Sequence, residues 1–198
     1  MNAMTRMWRT WRHGRKFAAL GRHCRFPEPQ LYVEGHVTLG DDCRFRNNVT
    51  LRTVGEGRIR FGNRSGCSWG VTVASAASIE VGDYSGMAEF CYVCDYAPVL
   101  AGNAVSPAEA ARTARPIRIG QGCFIGCRCY IGPGVTIGDG AVVGNHSVVL
   151  TDVGPGEIWV GAPARRIGHR TDNIPEARRR EYEELVARYG IQSDRYQR

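Results

Sequence analysis

Residues 119–153 read IGQGCFIGCRCYIGPGVTIGDGAVVGNHSVVLTDV, and an apolar residue returns at every sixth position: Ile119, Ile125, Ile131, Ile137, Val143 and Val149. Glycine follows the first five of them. A helix repeats near 3.6 residues and a half-buried strand at 2, so a period of six belongs to neither. Short, fixed periods mark a solenoid, whose units cannot bury their apolar side chains alone and stack into one continuous core.

The beat extends upstream through Val33, Leu39, Phe45, Leu51, then Phe61, Cys67, Val73, then Val81 and Met87, giving fifteen hexads between Val33 and Val153. A second position agrees with the first. The fifth residue of each hexad is small or β-branched: Val37, Cys43, Val49, Gly55, Ser65, Val71, Ala77, Ser85, Cys91, Cys123, Cys129, Val135, Ala141, Ser147 and Val153. Bulk at a tight corner would clash with the next coil, so this position is expected at corners. Glycine after the apolar residue is expected to serve turns that need permissive torsions.

This alternation resembles the hexapeptide-repeat family. The resemblance implies an all-β solenoid, a left-handed parallel β-helix in which three hexads make one triangular coil, across about 120 of 198 residues. The left hand comes from the resemblance, since spacing cannot give it and crossovers are usually right-handed.

Charge is concentrated at one end. Residues 1–26 carry Arg6, Arg9, Arg12, Arg15, Lys16, Arg22 and Arg25 and no acid, which equals the whole net charge of +7. Met4, Trp8 and Trp11 fall at helical spacing, and Phe17 and Leu20 continue the stripe as far as Gly21, which predicts an N-terminal helix in a segment 1–26. Such a helix caps the open end of the solenoid with its Arg face in water, or it serves as a membrane-surface helix or a dock for an acidic partner such as an acyl carrier protein. Nucleic acid is not expected as a partner, because no reader motif accompanies the charge. No stretch approaches the roughly 20 apolar residues of a membrane span, and the basic start lacks a signal peptide's apolar region, so a cytoplasmic location is expected. After the solenoid, assigned to 27–168, Pro175 opens a stretch with Ala177, Leu185, Val186 and Tyr189 among charged residues. This predicts an amphipathic C-terminal helix within 169–198.

Eight cysteines suggest a metal until they are placed on the repeat. Cys43, Cys91, Cys123 and Cys129 take the small fifth position and Cys67 the apolar first, where they act as small hydrophobes. A zinc site needs four convergent ligands at knuckle spacing, so no metal is expected. Reduced thiols suit the cytoplasmic reading. The glycines recur at six rather than as GxGxxG between strand and helix, which argues against a nucleotide loop.

Three places break the beat, and breaks in a solenoid are surface loops. Leu51–Phe61 adds four residues, Val73–Val81 adds two, and the excursion 94–116 suspends the repeat altogether. Within it Ser106, Pro107 and Glu109 form a capping-box pattern that predicts a short helix from Pro107 to about Arg112. A long excursion from a rigid scaffold is a natural place to bind substrate.

Residues 116–168 carry a PI-x-IG entry, GVTIG, GxxSVV and a GxPA element followed by a cation. This is similar to the acetyltransferase branch of the family, the galactoside, maltose, polysaccharide and antibiotic O-acetyltransferases. The resemblance implies acetyl-CoA as co-substrate, bound in a groove between neighbouring subunits of a homotrimer, and a sugar hydroxyl as acceptor. Carried over, the groove positions are Cys127, Asn145, Leu150, Thr151 and Arg165, with Arg165 on a CoA phosphate. The branch commonly has Lys where Thr151 stands and a second cation where Gly168 stands, which leaves Arg166 as a substitute. The carbonic anhydrase branch needs three zinc-binding histidines, and His13, His23, His36, His146 and His169 supply no such trio from the central coils.

In the resembling enzymes a histidine on the long loop takes the proton from the acceptor hydroxyl. Here no histidine lies between His36 and His146; the base is expected at Ala97, Pro98 or Val99, and DYAP at Asp95–Pro98 resembles the D-x-H-P variant of those enzymes, which favours Ala97. Several readings stay open. The chain carries a histidine-to-alanine exchange at residue 97 on an otherwise intact enzyme, with substrate approximation retained. Alternatively, Asp95, Tyr96 or His146 serves as base, or Cys94 accepts the acyl group. The last reading is a non-catalytic binder of CoA or sugar.

Overall fold

The computed structural model describes residues 16–26, 31–99, 110–172 and Glu184. The chain winds as a left-handed parallel β-helix of about six coils with three flat faces. The first face stacks Ala19–Leu20, His36–Leu39, Arg58–Phe61, Ser78–Val81, Ile117–Ile119 and Thr136–Ile137. The second stacks Arg44–Phe45, Gly66–Cys67, Gly86–Met87, Phe124–Ile125, Val142–Val143 and Glu157–Gly161, the last folding back antiparallel on Ala164–His169. The third stacks Leu31–Glu34, Val49–Thr53, Thr72–Ser75, Tyr92–Cys94, Tyr130–Ile131 and Val148–Val149.

Hexad phase sets the core. Every first-position residue from Leu39 to Val149 is buried, and Val33 is half-buried. Strict register makes columns of them, as in Leu39, Phe61, Val81, Ile119 and Ile137 along the first face. Two fifth-position assignments shift. Gly55 is exposed and Ala77 half-buried, while Ile59 and Ile79 fill the column between Val37 and Ile117. The two short insertions precede this inward residue, so counting in sixes across them lands on the loop instead.

The glycines after the apolar positions do a different job from the one expected. Positive φ falls two residues later, at Gly122, Arg128, Gly134, Gly140 and His146. At Gly126 the problem is space, since a Cβ would lie 2.7 Å from the backbone nitrogen of Asn145 in the next coil. Corner serines and cysteines also do more than fill volume. Cys91 Sγ donates to the Gly126 carbonyl at 2.9 Å, Cys129 to Gly144 at 3.1 Å, Cys123 to Gly138 at 3.1 Å and Ser85 to Gly120 at 2.6 Å. Each corner thus ties one coil to the backbone of the next, satisfying a buried carbonyl.

The predicted terminal segments change where the structure describes them. Phe17 and Leu20, expected on a helix, lie on the first described coil, with Ala19–Leu20 pairing parallel to Thr38–Leu39. Phe17, Phe26, Phe45 and Phe61 then follow one another with ring centroids 5.4, 6.0 and 5.1 Å apart, sealing this end of the core. Coil stacking therefore begins before residue 27. Residues 1–15 of the proposed helix lie outside the described residues. In the excursion, Arg112 sits in a strand, Arg112–Ala114, rather than at the end of a helix, and 100–109 lie outside the described residues. At the other end the strand Ala164–His169 continues into a turn, and Arg170 donates to the carbonyls of Gly122 and Gly140 at 2.9 and 3.0 Å. Of the expected C-terminal helix only Glu184 is described, and it is helical.

Candidate functional site

All three interruptions of the repeat leave the solenoid at one corner, between the third face and the first. Thr53, Ser75 and Asp95 form a column of buried polar side chains there. Asp95 is fully buried and its carboxylate accepts three hydrogen bonds. Oδ1 accepts from the Ala76 amide at 2.7 Å, while Oδ2 accepts from the Ser75 hydroxyl at 2.7 Å and the Ala77 amide at 3.0 Å. Its carbonyl accepts from the Arg115 amide at 2.8 Å, so one residue ties the outgoing and returning ends of the excursion to the coil beneath. Charge-assisted bonds of this kind are strong where water is excluded.

Beyond Asp95 the excursion forms an antiparallel ribbon, Tyr96–Pro98 against Arg112–Ala114, with Ala97 opposite Thr113. Ala97 is half-buried. Cys94 is buried and its thiol donates to the Tyr96 carbonyl at 3.2 Å, which turns it toward backbone rather than solvent. The Tyr96 hydroxyl accepts from Arg52 at 3.1 Å and the Arg112 guanidinium lies 5.8 Å from its ring centroid. That hydroxyl also holds the Arg52 guanidinium above its ordinary range. Leu150 and Thr151 are exposed at the same corner, two coils further along.

The other end of the third face carries a second group. The Cys127 amide donates to Asn145 Oδ1 at 2.9 Å. His146 is exposed, holds a left-handed φ of 60° and donates its amide to the Cys127 carbonyl at 2.8 Å. The tip of the terminal hairpin reaches this corner, where the Gly161 amide donates to Ser147 Oγ at 3.1 Å. The two arginines that follow differ. Among the described residues Arg166 is paired with Glu157 at 3.0 Å, whereas Arg165 bonds only the carbonyl of its neighbour Ala164 at 2.8 Å.

Within one chain the structure thus gathers Cys94, Asp95, Tyr96 and Ala97 with Leu150 and Thr151 at one corner, and Cys127, Asn145, His146 and Arg165 at another. The width of one face separates them, about five residues or roughly 15 Å, so His146 does not reach the ribbon of its own chain. Sequence reading missed Arg52, Tyr92, Arg112 and Tyr130. Tyr92 and Tyr130 both immediately precede the inward apolar residue of their strands, stack at 5.9 Å and are pushed above their usual range by burial. Recurrence of an aromatic at that outward position was the available signal.

Seven of the eight thiols are buried and Cys127 is half-exposed. Burial raises the Cys123 thiol to about 11, which further disfavours its thiolate. Iodoacetamide is expected to modify Cys127 first, as read by peptide mass spectrometry, with acetyl-CoA slowing it. Faster labelling at Cys91 or Cys94 would contradict the packing described. Among the described residues no group of His, Cys, Asp and Glu is placed to hold a metal, and no helix is long and apolar enough to cross a membrane.

Residues 116–151 match the family model for the bacterial transferase hexapeptide (six repeats). No protein of curated function matches the sequence. Among solved structures, AntD, an N-acyltransferase from Bacillus cereus in complex with dTDP and 3-hydroxybutyryl-CoA, superposes with a TM-score of 0.73 at 19% identity, covering 90% of this chain and 95% of that one. A hexapeptide-repeat acetyltransferase from Vibrio cholerae O1 biovar eltor, complexed with acetyl coenzyme A, gives 0.60 at 24% identity, covering 84% and 78%. A galactoside acetyltransferase in complex with coenzyme A gives 0.58 at 21%, covering 87% and 74%.

Proposed function

We propose that this chain, whose residues 116–151 match the bacterial transferase hexapeptide model, transfers the acyl group of acetyl-CoA, or a related acyl-CoA, to a sugar. The observation that carries this reading is Arg165, a guanidinium with no carboxylate partner among the described residues, on the terminal hairpin near the Cys127–Asn145 corner, at one edge of the face whose other edge bears the excursion. A fork of that kind suits a phosphate group of CoA. The proteins sharing the fold with bound CoA or acyl-CoA support the same donor.

The roughly 15 Å between the two edges fits a groove shared by neighbouring chains, with the ribbon of one facing the Arg165 edge of the next in a homotrimer. In the single chain Trp69, Phe90 and Phe124 are 46%, 57% and 50% exposed, apolar surface that such an assembly would cover. In that arrangement His146 of one chain faces the ribbon of another.

Chemically, the acceptor attacks the thioester carbonyl, the C–S bond breaks and CoA leaves as its thiol. A hydroxyl acceptor must shed its proton during attack, and on the ribbon neither Ala97 nor Asp95, buried and already accepting three hydrogen bonds, is placed to take it, which leaves His146 across the groove as the remaining candidate base. That observation favours a second reading in which the acceptor group is an amine, nucleophilic through its own lone pair. The N-acyltransferase AntD, solved with dTDP-4-amino-4,6-dideoxyglucose and coenzyme A, has this fold. Thiol release from acetyl-CoA against a panel of sugars bearing hydroxyls alone and amino sugars separates the two. Release dependent on either class supports the transferase. Release no faster than hydrolysis across the panel would leave only a non-catalytic binder.

A further inference from the structure

The corner that carries the excursion also holds cations that acyl transfer does not require. Arg52 lies in register with Ala74 and Cys94, so the two strands above it present only small, buried side chains. This leaves a trough along which the Arg52 guanidinium runs two coils to the Tyr96 hydroxyl. Arg112 comes from the returning strand of the excursion and lies over the same ring. Two guanidinium groups that begin 60 residues apart are thus held against one tyrosine.

Neither has an acidic partner among the described residues. Glu34, in register with Arg52, gives its carboxylate to the Tyr32 hydroxyl at 2.8 Å instead. Asp95, the other nearby acid, is buried and bonded by three donors. Arg52 and Arg112 are both exposed. Beside the trough stand the stacked rings of Tyr92 and Tyr130, with Tyr92 41% exposed, an apolar wall of a size to take a sugar or a base.

We infer that Arg52 and Arg112, positioned by Tyr96, form a phosphate-binding site that takes the diphosphate of the acceptor, making the acceptor a nucleoside-diphosphate-linked sugar rather than a free one. Two forked cations match adjacent phosphate groups through paired N–H bonds, which a single ammonium cannot do. Tethering both heads in the empty site lowers the ordering cost of binding. The inference deepens the transferase reading, but its test requires no acyl transfer, so the two fail separately.

The same chemistry is offered by the phosphates of CoA, and the experiment distinguishes these sources. Thymidine diphosphate and uridine diphosphate are titrated into the whole protein by calorimetry, with and without saturating acetyl-CoA. The expected result is saturable binding that acetyl-CoA leaves in place, weakened about tenfold or more by Arg52→Gln and by Arg112→Gln and unchanged by Arg165→Gln. Tyr96→Phe removes the tether while keeping the ring and is expected to weaken binding by a smaller factor. Thermal melts confirm that each variant is folded. Absence of diphosphate binding by the native protein would overturn the inference. So would equal affinity in both arginine variants, or complete displacement by acetyl-CoA, which would assign the cations to the donor.

Discussion

Ala97→His is expected to raise acyl transfer to a hydroxyl acceptor by about 10²- to 10⁴-fold, the range a positioned general base contributes. Residue 97 lies two positions beyond the Asp95 anchor, on a ribbon whose register with Thr113 fixes its backbone. Ala97 is half-buried rather than enclosed in the core. Only the proton acceptor is added, and substrate approximation by the surrounding groove is unchanged. The measurement is the initial rate of CoA release with a hydroxyl sugar, followed across pH. A gain that appears as the new imidazole loses its proton identifies it as the base. An unchanged rate with a sugar that the native protein binds would place the reaction outside hydroxyl chemistry and leave the amine reading.

The largest loss of stability is expected from Asp95→Ala. Removing this carboxylate leaves the buried Ser75 hydroxyl and the half-buried Ala76 and Ala77 amides without their acceptor, and a stranded donor costs about 1–3 kcal/mol where water does not replace it. A total of about 3 kcal/mol or more is expected, tempered by any water that enters. Asp95→Asn keeps the shape but turns an amide NH₂ toward groups that are themselves donors, so it too destabilises, by less. Chemical denaturation reads the loss. Because the Asp95 carboxylate bonds only residues 75–77 among the described residues and none of the proposed CoA contacts, acetyl-CoA affinity of the folded variant stays within a few-fold while acceptor turnover falls. An unchanged unfolding midpoint would contradict the clamp. Loss of CoA binding in a folded Asp95 variant would show that the two edges are not independent.

The contrast between these residues explains how much the sequence reveals. A period of six is written locally, so the core columns through Ile119, Ile125 and Ile131 and the position of the excursion could be read from spacing alone. What failed was phase across insertions: Ile59 and Ile79, not Gly55 and Ala77, fill the core, because extra residues precede them. The glycines were located correctly but explained wrongly, since the approach of the next coil is invisible within a single hexad. The helical stripe through Phe17 and Leu20 was overridden by pairing with Thr38 and Leu39, tertiary structure prevailing over local spacing. In the site, Arg52 and Tyr96 are 44 positions apart and meet only because their coils stack with a single coil between them. Likewise the difference between Arg165 and Arg166 depends on Glu157 across a hairpin, which no motif encodes.

Acetyl-CoA binding by calorimetry tests the central claim most directly, because it depends neither on the acceptor nor on the missing base. Saturable binding is predicted for the native protein, weakened about tenfold or more by Arg165→Gln, with a smaller change for Arg166→Gln, whose side chain is already paired. No detectable binding at millimolar acetyl-CoA, or equal affinity in the native and Arg165→Gln proteins, would contradict the account.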